Sequence, residues 1–401
     1  MHIVRTFGHL VGGTLLVAGT SIGVGMLALP VATASGGFIP CVFIYLLCWL
    51  FMLGTGLLIL EACIWMPKGA NLITLSSRLL GKWGKVCCWI LYLFLFSCLL
   101  IAYIAGGGGI VSDLTGGALP TWFGTILYVL LFSPVVFLGA LWVDRLNLGL
   151  MLGIAITYAL FVFSSISYVS PSLLARMDWE KIGWSLPIVF TAFGYQSLVP
   201  TLFNYMNRNV SKVRFALIIG TTIPLLIYLL WEFVILGIVP LEGTERLLQS
   251  LHKGKSAINP LGEYVKNPSF LLIGRSFAFF ALTTSYLGIS IAFLDFVLDG
   301  LKLPKRGKPK IAAGGLIFFI PLLITLINPH LFISVLRIAG GIGISLLLGA
   351  MPILMVWAGR YYEGYSLMHQ QVPGGKITLS VMLTFVIFQL IFAIQSIRPI
   401  G

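Results

Sequence analysis

The sequence predicts an all-α polytopic membrane protein with about 11 transmembrane helices, and three observations carry that prediction. Of 401 residues, 59% are hydrophobic and 9% are charged, far below the roughly one-quarter charged residues of a soluble domain. The apolar residues gather in runs near the roughly 20 residues that a helix needs to cross a hydrocarbon core. Runs such as Phe38 to Leu60 are continuously apolar, whereas a β-barrel strand alternates. Lipid cannot satisfy exposed backbone groups, so the spans must be helical.

Taken in order, the runs place helices at 7–34, 38–62, 85–111, 121–141, 146–169, 184–205, 211–239, 269–298, 310–328, 331–358 and 378–397. The first has the basic start and apolar stretch of a secretory leader. Gly19, Gly23, Gly25 and Pro30 interrupt it, and no short polar cleavage region follows, so it reads as a retained span. Long loops follow the second helix, at 63–84, and the seventh, at 240–268. Trp65, Trp83, Trp122, Trp142, Trp184 and Trp357 lie near helix ends, where aromatic rings anchor a protein at the interface.

The formal charge of +13 would suggest nucleic acid in a soluble protein. Here most Lys and Arg lie between spans, where they set orientation. With a cytoplasmic N-terminus, sixteen fall on the cytoplasmic side, including the Lys302 to Lys310 loop, and seven on the other. The expected topology is N-terminus in and C-terminus periplasmic. All six cysteines lie between Cys41 and Cys98 without a histidine cluster nearby and are expected to be packed thiols. No cofactor and no metal site is expected. The five histidines form no short metal-binding motif, and no nucleophile and base are spaced as an enzyme needs.

Two spans carry interruptions. Gly19-Thr20-Ser21-Ile22-Gly23-Val24-Gly25-Met26 places three glycines and two hydroxyls between apolar flanks, which lowers the cost of unwinding a helix in mid-membrane. The sixth span reads Phe190-Thr191-Ala192-Phe193-Gly194-Tyr195-Gln196-Ser197 after Pro187 and before Pro200. A broken helix exposes carbonyls on one half and N–H groups on the other, and so can receive both ends of a zwitterion. Small residues also serve close helix packing. The breaks lie about 175 residues and five spans apart. An odd number of spans makes the two halves enter from opposite sides, which predicts a 5+5 inverted repeat with broken helices 1 and 6. The halves are expected at 1–169 and 184–358, with 378–397 as an accessory helix.

The segment from Val17 through Gly19-Thr20-Ser21-Ile22-Gly23 to Pro30, the Phe190 to Pro200 segment continuing through Tyr205-Met206, and weaker matches at Ile218 to Leu225 and Tyr286-Leu287-Gly288 resemble the bacterial hydroxy and aromatic amino acid permeases, especially tyrosine-specific and tryptophan-specific members. The resemblance implies a leucine-transporter-type fold and proton-coupled uptake of tyrosine or tryptophan across the bacterial inner membrane. It places the substrate carboxylate near Gly19, Thr20, Ser21, Gly23 and Gly25, and the amine near the carbonyls of Phe190, Thr191, Ala192 and Phe193. Tyr103 offers a hydroxyl to a carboxylate or packs the third helix. Phe193, Gly194 and Tyr195 are expected at the wall that meets an aromatic ring, and Gln196 offers a polar contact to a phenol or indole.

Charges within spans are functional suspects because hydrocarbon penalises them. The coupling candidates are Glu61, Glu232 and Asp295. Glu232 either exchanges a proton or holds a permanent ion pair with an arginine, while Glu61 and Asp295 also suit gates or interfacial anchors. The alternative is a sodium-coupled or uncoupled transporter of another neutral amino acid. Its cation would sit among Ala18 and Ser21 of the first span and Thr284 and Ser285 of the eighth.

Overall fold

The computed structural model describes residues 2–241, 247, 250, 257–265, 268–365 and 370–397. Arg246, Lys253, Lys255, Lys266 and Arg398 of the charge count, with most of the loop at 240–268, lie outside them. The described residues contain ten helices long and apolar enough to cross a membrane, and eleven spans when a bent first pair is counted. That pair is His2–Ser21 and Val24–Thr33. Spans two to five are Phe38–Ile64, Gly81–Leu114, Thr121–Leu138 and Ala140–Ser165.

The sixth span is broken into Leu186–Ala192 and Val199–Tyr205. Spans seven to nine are Val210–Ile238, Pro268–Gly300 and Lys308–Ile327. The tenth runs over Leu331–Tyr361 and the eleventh over Gly375–Ile397.

Local chemistry explains where these helices start and stop. The Asn209 side chain accepts a hydrogen bond from the Lys212 N–H and caps the seventh span, as Asn71 does for the short helix Leu72–Leu79 through Thr74. Such caps satisfy donors that a helix start leaves orphaned. Between the fourth and fifth spans only Gly139 intervenes, at φ 104°. A side chain there would be strained, so glycine makes the hinge. In the sixth span, Pro187 and Pro200 each sit in the first turn of a half-helix, where proline's missing N–H removes no helical bond.

The spans pack as two groups. The first, second, sixth and seventh contact one another, and the third, fourth, fifth, eighth and ninth form a second body. The tenth touches both groups and the eleventh packs on the tenth. Its middle, Ala339–Ala350, winds as a π-helix, with the Ser345 hydroxyl bonded to the Gly340 carbonyl at 2.9 Å. The expected boundaries shift by a few residues, most at the start of the fifth span, which begins at Ala140 directly after Gly139 where the sequence predicts 146, while the third runs over Gly81–Leu114.

Candidate transport site at two broken helices

The first span breaks later than its glycine content suggests. Gly19, Thr20 and Ser21 stay helical, and the chain opens at Ile22 and Gly23. Its halves Leu10–Ser21 and Gly25–Thr33 meet at 50°. The hydroxyls of Thr20 and Ser21 turn back to the carbonyls of Leu16 and Val17, a local bond that Ser and Thr make readily within helices. Thr20 is exposed and Ser21 is buried.

Gly25 meets the sixth span directly. A Cβ at Gly25 would stand 2.7 Å from the Ala192 Cα, so only a glycine permits this approach of two backbones. Ala192 is the last residue of its half-helix, followed by Phe193, Gly194 and Tyr195 in the break. The junction therefore brings together the N-terminal end of Val24–Thr33 and the C-terminal end of Leu186–Ala192, the two kinds of helix end that a zwitterion needs.

Several expected residues line this junction, and others turn elsewhere. Phe193 is buried and meets Tyr45 and Tyr228 edge-on, with ring centroids 6.3 Å and 5.3 Å apart. Phe190 instead stacks on Phe51, 5.4 Å away, and tilts against Phe385. The Thr191 hydroxyl bonds to the carbonyls of Pro187 and Leu336. Gly194 lies against Ile344 of the tenth span.

Tyr195 and Gln196 are committed to the second span. The Tyr195 hydroxyl donates to the Met52 carbonyl at 3.2 Å, and the Gln196 amide donates to the same carbonyl and to Thr55 at 3.1 Å. Tyr103 is buried on the third span, one turn before Gly106, which packs on Leu282 and Phe332.

The sodium candidates come partly together. Ser285 abuts the first break, since a Cβ on Gly23 would lie 2.5 Å from its Oγ. Thr284 donates to the Ala281 carbonyl, and the Ala18 carbonyl accepts the Ile22 N–H at 2.9 Å. Among the described residues no group of three His, Cys, Asp or Glu side chains converges as a metal site would require.

The three coupling candidates separate sharply. Glu232 is fully buried and receives hydrogen bonds from Thr33 and from Tyr45, the latter at 2.8 Å. Cys41 is also close to it. No arginine or lysine pairs with it among the described residues, so of the two alternatives weighed for Glu232 the arginine pair is not formed here, and hydroxyl donors occupy its surroundings. Glu61 is the group that holds an arginine. Arg360 meets it at 2.7 and 2.8 Å, and the Gln371 N–H adds a bond at 2.8 Å. Asp295 lies 3.3 Å from Lys305, with both side chains about half exposed. Asp299 and Asp295 hold the Lys305 ammonium above the usual lysine range, chiefly through the Asp299 hydrogen bond.

Sequence reasoning passed over Tyr228. Its hydroxyl donates both to the Ser21 carbonyl and, at 2.9 Å, to the Ala192 carbonyl, so it joins the two broken helices. A signal was present, because Tyr228 and Glu232 stand four apart, on one helix face. Thr33 and Tyr45 were likewise invisible as partners until Glu232 was placed.

Two broken spans meeting inside a helical bundle define the class, a polytopic transporter rather than an enzyme. The chain belongs to the tryptophan/tyrosine permease family, whose model matches residues 7–393. It is 30% identical to the tryptophan-specific transport protein of Pseudomonas aeruginosa, covering 94% of this chain and 92% of that one. It is 31% identical to tyrosine-specific transport system 1 of Haemophilus influenzae, covering 96% and 97%. Glutamine transporter 2 of Aliivibrio fischeri is 28% identical, covering 95% and 98%. The fold matches the crystal structure of MhsT in complex with L-phenylalanine, with a TM-score of 0.66 over 96% of this chain and 98% of that one, at 14% identity. The family and the leucine-transporter-type fold expected from the two glycine-containing motifs are both borne out.

Proposed function

We propose that the chain takes up an aromatic amino acid, tryptophan or tyrosine, by secondary active transport across the bacterial inner membrane. The observation that carries this reading is the junction of Gly25 with Ala192 beside the Tyr45, Phe193 and Tyr228 rings. The substrate carboxylate faces the N–H groups from Gly23 to Gly25, its amine faces the carbonyl end at Ala192, and its ring meets Phe193 and Tyr103. Gly19, Thr20, Ser21, Phe190, Thr191, Gly194, Tyr195 and Gln196 shape and hold the breaks around it. Access alternates as the group of spans one, two, six and seven rocks against the group of spans three, four, five, eight and nine, the halves 1–169 and 184–358 being related by inversion and 378–397 lying outside them. The N-terminus lies in the cytoplasm and the C-terminus in the periplasm, as the loop charges favour.

Two ions compete for the coupling role. A proton is supported by Glu232, a fully buried carboxyl held by the hydroxyls of Thr33 and Tyr45 with the Cys41 thiol close by, near enough to the junction to sense it through Tyr45 and Phe193. Sodium is supported by the approach of Ser285 to the first break, where unwound carbonyls suit a cation. The glutamine-named relative supports a second substrate reading, another neutral amino acid.

Uptake of labelled tryptophan, tyrosine and glutamine into proteoliposomes tests all of this, with pH and sodium gradients varied independently. Accumulation of one aromatic amino acid establishes the substrate, and the gradient that drives it names the ion. Accumulation of glutamine alone would overturn the aromatic assignment.

A further inference from the structure

The negative ends of two half-helices converge on one point. Ser21 closes the first half of span one and Ala192 closes the first half of span six, and each leaves carbonyls with no helical partner. A pair of such carbonyls in hydrocarbon attracts a positive charge. The point between them holds instead the phenol oxygen of Tyr228, which donates to both. A phenol has one proton for two acceptors, so the two carbonyls share a donor that brings no net charge.

Tyr228 is fully buried, backed edge-on by Phe193 at 5.3 Å. The same helix face reaches the other end of the first span one turn later, where Glu232 accepts from Thr33.

We infer that Tyr228 occupies a place between the two breaks where a monovalent cation would otherwise bind, and that its hydroxyl ties the half-helices together in that cation's stead. The inference rests on the reading of this junction as the substrate site. It assigns Tyr228 as a positioning residue, since it orders the carbonyl end that receives the amine. It also means that any sodium used for coupling binds on the Ser285 side of the first break and not between the breaks.

Two variants of the full chain test it, Tyr228→Phe, which removes only the hydroxyl, and Tyr228→Asn, which offers an amide oxygen to a cation. Thermal unfolding of the purified protein is compared in sodium chloride and in choline chloride at equal concentration, and binding of labelled tryptophan and tyrosine is measured in both salts. The expected result is a sodium-dependent rise in Tm for Tyr228→Asn larger than that of the unaltered protein, with an affinity for substrate that sodium partly restores. For Tyr228→Phe, about tenfold weaker substrate binding is expected, the scale of one lost hydrogen bond. Unchanged affinity in Tyr228→Phe, or a sodium response in Tyr228→Asn equal to that of the unaltered chain, overturns the proposal. Should Tyr228→Asn not fold, the affinity of Tyr228→Phe decides alone. If the unaltered protein binds neither amino acid, the substrate reading fails, while the sodium comparison still decides the role of Tyr228 because it needs no substrate.

Discussion

Glu61 and Glu232 are both buried glutamates in apolar helices, yet their partners are of opposite kinds. Glu61, at the end of the second span, meets Arg360 of the tenth in a two-bond pair that is almost fully buried, and Gln371 binds it from the following segment. Arg214 of the seventh span in turn bonds to the Gln371 side chain at 2.7 Å, so the cluster ties spans two, seven and ten together. The two-bond contact with Arg360 holds the Glu61 side chain in place. Among the described residues Glu232 has hydroxyl donors and no cation, and a carboxyl so surrounded can take up or release a proton without breaking an ion pair. Burial alone therefore does not mark a coupling residue, and the partner's charge decides.

The largest effect should come from breaking the ion pair. Glu61→Gln leaves the Arg360 charge buried without its counter-ion, at a cost of about 3–5 kcal/mol. Thermal unfolding should show a lowered Tm and the purified yield should fall. A Tm equal to that of the unaltered chain would show that the pair is not the brace described.

Gly25→Ala should act next, at the other kind of contact. The added methyl meets the Ala192 backbone, and overpacking of this sort costs about 1–3 kcal/mol. Uptake should drop by more than about tenfold, more than the stability change accounts for, because the half-helices must separate where the substrate binds. Retained uptake would place the substrate elsewhere.

Glu232→Gln should change stability by no more than about 1 kcal/mol, since the amide keeps the shape and an acceptor oxygen for Thr33 or Tyr45. Under proton coupling it should abolish accumulation driven by a pH gradient while leaving exchange of labelled for unlabelled substrate intact. Acid-driven accumulation that persists in this variant would remove the proton from Glu232 and sharpen the case for sodium.

The smallest effect belongs to Asp295→Asn. Its pairing with Lys305 is half exposed, and such pairs contribute about 0–1 kcal/mol. Uptake and Tm should both stay close to those of the unaltered chain, and a transport defect would return Asp295 to the list of coupling groups.

Much of the fold was legible because it follows from local composition. Continuous apolar runs dictate helices, and Gly23 and Gly25, or Gly194 between Pro187 and Pro200, weaken a helix wherever they occur. What failed to show was the fate of individual polar groups. Thr20 and Gln196 have the chemistry to touch a substrate, yet Thr20 bonds within its own helix and Gln196 bonds to the second span. A hydroxyl or amide takes whichever acceptor the packing brings within reach, and a list of residues carries no record of that choice.

By itself the sequence determined that this is a helical membrane protein with about eleven spans, broken at the first and the sixth, because spans and breaks depend on residues close together in the chain. Only the tertiary structure decided the pairings. Arg360 lies 299 residues from Glu61, and Tyr228 lies 207 residues from Ser21. Such groups find one another only when helices pack, since neither periodicity nor composition carries information about contacts so far apart in sequence. The same packing left one buried carboxylate with an arginine and the other with hydroxyls, and so separated a structural charge from a candidate carrier of protons.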